Sequence, residues 1–263
     1  MAPRTKTQAR TAPRALAAIG LCLLGSLGIS TIAEARVGAT FSKRLLDIRG
    51  TAKAERVVVG CNQDAKVVIN GRVPKLFAGD PLPCSRVAEI DVTSGGGGDQ
   101  IDLTGVGTEF GSARFAGFGT GTLTAIVPGA GRDRISCGEA FCFVPDAGTG
   151  EDLIRGGPRR DILRGGSDND RVFGSGGRDD LLGRGGNDYL EGGDGNDLMS
   201  GNGGDDRLYG ELGDDLIGGG AGSDLLSGGP DDDRLLGGPG RDKIIGGPGK
   251  NTIIQDPPRS KRS

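Results

Sequence analysis

The sequence contains no histidine and no tryptophan, and aromatic residues make up only 4% of its 263 positions. Without histidine there is no Ser-His-Asp or Cys-His nucleophile system, no His-liganded zinc and no HExxH metalloprotease helix. A nucleophile elbow and a long apolar pore segment are missing as well. The mostly apolar run from Ala15 to Ile29 falls short of the about 20 residues that a membrane-spanning helix needs. These absences leave little room for catalysis, and the chain is read as non-enzymatic.

That apolar run has another reading. Arg4, Lys6, Arg10 and Arg14 precede it, and Ala33-Glu34-Ala35 follows with the small-x-small pattern of a signal-peptidase site. Residues 1–35 are therefore read as an export signal cleaved after Ala35, leaving no transmembrane segment. Cys22 belongs to this run; the bulky Leu21 before it argues against lipid attachment. The remaining chain is expected to be secreted, in an oxidising, calcium-containing extracellular space or at the cell surface. Losing four basic residues and Glu34 leaves 28 basic against 34 acidic side chains, a net charge of −6. That balance argues against nucleic acid as a partner and in favour of hard cations.

What the sequence has in excess is glycine, 53 residues. Such an excess means either disorder or a strict repeat. The period is nine. Aspartates fall at Asp152, Asp161, Asp170, Asp179, Asp188, Asp197, Asp206, Asp215, Asp224, Asp233 and Asp242, and Asn251 takes the next place. Two residues after each comes an aliphatic residue or Met, from Ile154 to Ile253, and a glycine lies five residues before each from Asp161 onward. Low-complexity disorder does not hold three residue types in one register.

The clearest units are GGDGNDLMS (Gly192 to Ser200), GGAGSDLLS (Gly219 to Ser227) and GGPGRDKII (Gly237 to Ile245). They resemble the GGxGxDxUx repeat of the RTX, or hemolysin-type, calcium-binding family, in which U is a large aliphatic residue. The resemblance implies an all-β fold, a parallel β-roll in which each nonapeptide gives a tight turn and a short strand and two make one coil. It implies that the eleven aspartates ligate several Ca²⁺ ions. Alternate aspartates would line opposite edges, Asp152 to Asp242 on one and Asp161 to Asp233 on the other. The residue chemistry agrees. Glycine permits positive φ, carboxylate oxygen is a hard donor suited to calcium, and the strand period of two turns U inward. Carboxylates stacked about 4.8 Å apart repel by roughly 3 kcal/mol per pair at an effective dielectric near 20, so the metal-free repeats are expected to be unfolded. Affinities are expected in the range of extracellular modules, about 10⁻⁴–10⁻³ M per site.

Some units depart from the pattern. Arg159, Asp168 and Asp231 replace glycine at position four, and Ser175, Arg184, Asn202 and Glu211 replace it at position two. The Arg159 turn is the most doubtful binder, because it adds a cation beside the site. Asn251 is read as a cap to the array.

Residues 36–146 contain degenerate units ending at Glu55, Asp99 and Asp133, with β-favouring runs at Val57–Val59 and Lys66–Ile69 and a hairpin-type signal at Asn70-Gly71. They are read as irregular parallel coils with insertions that cap the roll, with a separate small β domain as the competing reading. Four cysteines remain after cleavage, and three pairings are open. Cys61–Cys84 and Cys137–Cys142 each close a short segment; a zinc site of all four lacks any CxxC spacing. The chain thus divides into a leader (1–35), an irregular β region (36–146), a calcium-binding β-roll (147–254) and a disordered tail (255–263).

The reading that follows is a secreted calcium-binding repeat protein, structural or adhesive at the cell surface, with a cell-surface or glycan ligand left open. The alternative is a calcium-stabilised β-helix enzyme or binding protein acting on extracellular polysaccharide. Outward residues such as Phe173, Leu182, Tyr189, Tyr209 and Leu236 would supply its surface.

Overall fold

The computed structural model describes residues 38–42, 45–51, 53–61, 63, 67–69, 83–87, 89–106, 113–115, 119–121, 123–139 and 141–256. The expected leader, the Asn70-Gly71 signal and residues 257–263 of the expected tail lie outside this set.

Within one repeat, alternation decides the strand. In Arg171–Gly176, Val172 and Gly174 are buried while Arg171 and Ser175 face solvent. The same holds along the array: Ile154, Leu163, Val172, Leu181, Leu190, Met199, Leu208, Ile217, Leu226 and Leu235 are all at most 1% exposed. Each thus contributes about 1.5–3 kcal/mol of apolar burial. The turn between strands is set by contact with the next coil. Gly195 has φ of 140°, and a Cβ there would lie 1.4 Å from the Gly177 carbonyl oxygen. Six of the seven residues that break the glycine pattern nevertheless adopt φ between 73° and 86°, namely Asp168, Ser175, Arg184, Asn202, Glu211 and Asp231. Arg159 does not enter the left-handed region.

Stacking follows an eighteen-residue step. Ile162, Asp180, Leu198, Leu216, Arg234 and Thr252 lie opposite one another in the first sheet, all parallel. Leu153, Arg171, Tyr189, Arg207, Leu225 and Lys243 do so in the second. Two nonapeptides make one coil, and the fold is the expected all-β parallel β-roll. Among the described residues the single helical turn is the 3₁₀ segment Cys84–Arg86, and no helix is long and apolar enough to cross a membrane.

Both sheets run on toward the N-terminus without changing direction. The first continues through Phe141–Val144, Leu123–Val127, Glu89–Thr93 and Leu45–Arg49, and the second through Arg134–Ser136, Gln100–Gly105 and Arg56–Cys61. The extra residues of this region lie between strands, so the inward register survives: Ile48, Val57, Ile90, Ile101, Ile126 and Ile135 join the same core. The two β-favouring runs pair with each other, since Val67–Ile69 lies antiparallel to Arg56–Cys61 and their connection falls between Cys61 and Val67. Cys137 and Cys142 form a disulfide with Cα atoms 5.8 Å apart. Cys84 is disulfide-bonded too; the side chain of Cys61, its expected partner, lies outside the described residues. At the other end the core opens, with Ile244 partly buried and Ile253 49% exposed.

The first glycine of each repeat has a steric duty. A Cβ at Gly201 would sit 2.1 Å from Asp206 Oδ2 and 2.7 Å from the Gly219 carbonyl oxygen, whereas one at Gly185 would meet nothing within 4 Å. Gly201→Ala is therefore expected to destabilise the roll by about 1–3 kcal/mol. Gly185→Ala should leave stability unchanged or raise it by up to about 1 kcal/mol. Thermal unfolding of the two variants checks this, and equal midpoints would contradict the packing described.

Candidate metal-binding edges

The aspartate of each repeat closes its turn and points back into the coil, where every one from Asp152 to Asp233 is at most 3% exposed. One carboxylate oxygen has a fixed role. Oδ1 accepts the backbone N–H of the aspartate one coil earlier, as in Asp152→Asp170, Asp170→Asp188 and Asp188→Asp206, at 2.8–2.9 Å. The opposite edge repeats this through Asp161→Asp179, Asp179→Asp197, Asp197→Asp215 and Asp215→Asp233, at 2.7–3.0 Å. The first edge ends with Asp206→Asp224 and Asp224→Asp242. Each hydrogen bond joins a backbone donor to an ionisable acceptor and ties one coil to the next.

The ladder extends beyond the regular array. Glu55 N–H donates to Asp99 Oδ1, Asp99 N–H to Asp133 Oδ1 and Asp133 N–H to Asp152 Oδ1, at 2.7–2.8 Å. The degenerate units thus occupy the same edge as Asp152. A second, exposed ladder lies beside each buried one: Asn169, Asn187 and Asp205 accept from residues 187, 205 and 223, and Asn196, Asp214 and Asp232 from residues 214, 232 and 250. That second row accounts for the adjacent acids Asp205-Asp206 and Asp214-Asp215. Sequence reasoning missed it, although an Asn, Asp or Ser immediately before most of the aspartates was its visible signal.

The other carboxylate oxygen is the anomaly. Oδ2 of Asp99, Asp133, Asp152, Asp170, Asp179, Asp188, Asp197, Asp206, Asp215, Asp224, Asp233 and Asp242 is buried with no hydrogen-bond partner, as is Oε2 of Glu55. Buried acceptors are ordinarily satisfied, so a row of unsatisfied ones fits a cation-binding edge. Oxygen atoms converge beside them. The point where a Cβ of Gly192 would lie is 2.3 Å from Asp197 Oδ2 and 2.8 Å from the Gly210 carbonyl oxygen, and Gly210 and Gly228 repeat the arrangement. Turn carbonyls at positions two and four also face the following coil, as Ser175 and Gly177 do toward Gly193 and Gly195.

Two turns satisfy that second position with groups of the protein itself. In the last one, Asn251 Oδ1 keeps the ladder bond from Asp233 N–H at 2.8 Å, while its Nδ2 donates to the Gly247 carbonyl at 2.9 Å. An amide donor there meets a carbonyl that a carboxylate oxygen would confront unpaired. In the Arg159 turn, the Gly157 N–H donates to Asp161 Oδ2 at 2.7 Å. Asp161 alone of the eleven sequence-predicted aspartates has both oxygens satisfied.

A metal held here would need main-chain oxygen beside the carboxylates. Among the described residues no three acidic, histidine or cysteine side chains gather at one point. The carboxylates come in single file, and turn carbonyls would complete any coordination sphere. An all-oxygen, mixed carboxylate and carbonyl donor set suits a hard divalent cation, so the residues fit calcium.

Electrostatics give the same picture. Burial is the largest influence on these carboxyls and raises Asp152 and Asp179 to about 8, and Asp161, Asp170, Asp206 and Asp215 to about 7. Asp133 rises to about 6 for the same reason, and Asp99, Asp188, Asp197, Asp224 and Asp233 also move upward. The ladder hydrogen bonds act in the opposite direction, and repulsion from neighbouring carboxylates adds less than burial does. The sequence pointed to chain ordering and carboxylate repulsion as the costs of the metal-free roll; the buried carboxyls add desolvation, which outweighs the repulsion.

A family model described as the RTX calcium-binding nonapeptide repeat (4 copies) matches three times in tandem, at residues 146–181, 182–217 and 218–253. Residues 146–253 are thus an array of RTX nonapeptide repeats, and Glu55, Asp99 and Asp133 precede it. No curated protein and no solved structure matches the chain.

The pH dependence has a definite sign. A carboxyl raised in the folded state stabilises that state fully below its unfolded value, near 4, and the benefit is lost as pH climbs through the folded value. In chelator the roll is therefore expected to gain β-sheet on acidification to about pH 4–5 and to lose it as pH rises through about 6–8. Circular dichroism against pH in chelator measures this; a metal-free fold that strengthens from pH 5 to pH 8 would refute the assignment.

Proposed function

We propose that this is a secreted calcium-ion-binding repeat protein, non-enzymatic and structural or adhesive at the cell surface, whose β-roll folds when calcium binds after export. The observation that carries the reading is the file of buried, unpartnered carboxylate oxygens beside turn carbonyls on both edges. Asp152, Asp170, Asp188, Asp206, Asp224 and Asp242 would hold ions along one edge, and Asp179, Asp197, Asp215 and Asp233 along the other. Asp161 is set apart from the expected ligands because its second oxygen is already hydrogen-bonded. A bound divalent cation supplies positive charge where burial otherwise favours protonation.

Calcium binding and folding are then one process, since the ligands converge only in the stacked coil. Affinities of about 10⁻⁴–10⁻³ M would leave the chain unfolded inside the cell and fold it outside. The leader expected at residues 1–35 supports this order of events.

The test is a calcium titration of the chain from a chelated start at neutral pH, followed by far-ultraviolet circular dichroism with magnesium as control. A cooperative coil-to-sheet transition with calcium alone is expected, and a complete sheet spectrum in chelator would overturn the reading. Asp188→Asn sharpens the test. Its amide should act as that of Asn251 does, raising sheet content in chelator while lowering the number of calcium ions bound per chain in equilibrium dialysis. An unchanged ion count would remove Asp188 from the ligands.

A further inference from the structure

The outward face of the second sheet carries a chemical period that the roll does not require. Position seven of its strands forms a column of nine residues in register. Every second member is basic: Arg56, Arg134, Arg171, Arg207 and Lys243. Between them lie Gln100, Leu153, Tyr189 and Leu225. The five cationic side chains are exposed and the three apolar or aromatic ones half-buried. Adjacent strands are roughly 4.8 Å apart, so the cations recur every 9.6 Å or so along a straight line. The first sheet has no such order: its corresponding positions read Ile162, Asp180, Leu198, Leu216, Arg234 and Thr252.

Aromatic rings in and beside the column hold one of its cations, Arg171. Phe173 and Tyr189 lie 5.6 Å apart between ring centroids, and Tyr189 and Tyr209 5.3 Å apart. The Arg171 guanidinium stands over Phe173 at 5.8 Å and over Tyr189 at 5.6 Å, and Arg155 over Phe173 at 5.1 Å. Asp102 and Glu191 on this face are engaged locally, and the exposed Glu211 at the end of the strand Arg207–Leu212 lies on it as well. Asp102 accepts from the N–H and hydroxyl of Thr104, and Glu191 accepts from the Tyr189 hydroxyl. Arg134, Arg171, Arg207 and Lys243 form no ion pair among the described residues.

We propose that this face binds an extended acidic polysaccharide bearing one carboxylate per disaccharide, laid along the coil axis. A guanidinium fork takes a carboxylate in two parallel hydrogen bonds, and stacking on aromatic rings holds the fork in place before the ligand arrives. The apolar and aromatic residues between cations offer flat surface to the sugar in between. The spacing selects among polyanions. Phosphates along one nucleic-acid strand follow at about 3.4 Å, far denser than one cation per two coils. The ligand is thus set by a linear charge repeat, and the inference rests on the roll being folded, hence on the calcium reading above.

The test uses the full chain in millimolar calcium, with hyaluronan as the polymer carrying one carboxylate per disaccharide. Dextran, single-stranded DNA and vesicles containing phosphatidylserine are the comparators, and sheet content is recorded on the same samples. Salt-sensitive hyaluronan binding is expected, weakened about ten-fold by Arg171→Glu with Arg207→Glu and unchanged by Arg234→Glu on the opposite sheet. Equal weakening by Arg234→Glu would overturn the column, as would tighter binding to DNA or vesicles than to hyaluronan. A folded protein that ignores hyaluronan would overturn it while leaving the calcium reading intact. Binding through Arg171 and Arg207 by a protein that also keeps its sheet in chelator would support the column and count against calcium-dependent folding alone.

Discussion

One oxygen atom per nonapeptide governs this molecule. The repeat buries a carboxylate, uses its Oδ1 to tie coil to coil, and leaves Oδ2 without a donor. An unsatisfied buried acceptor costs about 1–3 kcal/mol, and more when charged. The array holds many of them, against a core of one aliphatic side chain per repeat. The metal-free roll therefore has a deficit that grows with its length. A cation or a proton removes it, and the proton does so in full only near pH 4, where the unfolded carboxyls are protonated too.

The glycines follow from the same constraint. Position one must lack a Cβ because the carboxylate and the next coil's carbonyl fill that space, and its backbone is not left-handed. Positions two and four take a left-handed backbone in most turns, though not at Gly157, Arg159 or Gly240. The second requirement tolerates exceptions. Ser175, Arg184, Asn202 and Glu211 meet it at φ of 73–85°, and a non-glycine residue there costs roughly 1 kcal/mol or more. The first requirement has none from Gly156 to Gly246. Two kinds of glycine, steric and conformational, are thus distinguishable within one motif.

Most of this was legible in the sequence. The nine-residue register gave the coil, the inward residue and the two edges, because a strict period leaves few ways to stack. Asn251 could be read as a terminus and Arg159 as a doubtful turn from chemistry alone. Three features could not. The degenerate units at Glu55, Asp99 and Asp133 were legible as coils with insertions, but their place on the edge of Asp152 was not, because spacing in sequence hides the register that the insertions leave intact. The weight of desolvation over repulsion depends on how deeply each carboxyl sits. The pairing of Val57–Val59 with Lys66–Ile69 depends on a connection that no turn motif marked.

The alternating basic column was hidden for a related reason. In sequence Arg171 and Arg207 are thirty-six residues apart and look like unrelated surface charges; only a coil of eighteen aligns them with Arg134 and Lys243. The fold itself asks nothing of position seven except that it face outward. On the first sheet that position drifts among aliphatic, acidic and basic residues, as an unconstrained surface does. On the second sheet it holds a two-coil rhythm through both the regular repeats and the degenerate ones that precede them. Arg56 and Arg134 keep the rhythm across insertions that disrupt the nonapeptide period. A pattern that persists where the structural repeat fails is not a by-product of that repeat. The edges tie coil to coil, the core gives the roll direction, and the second sheet is the surface on which a linear partner can be read.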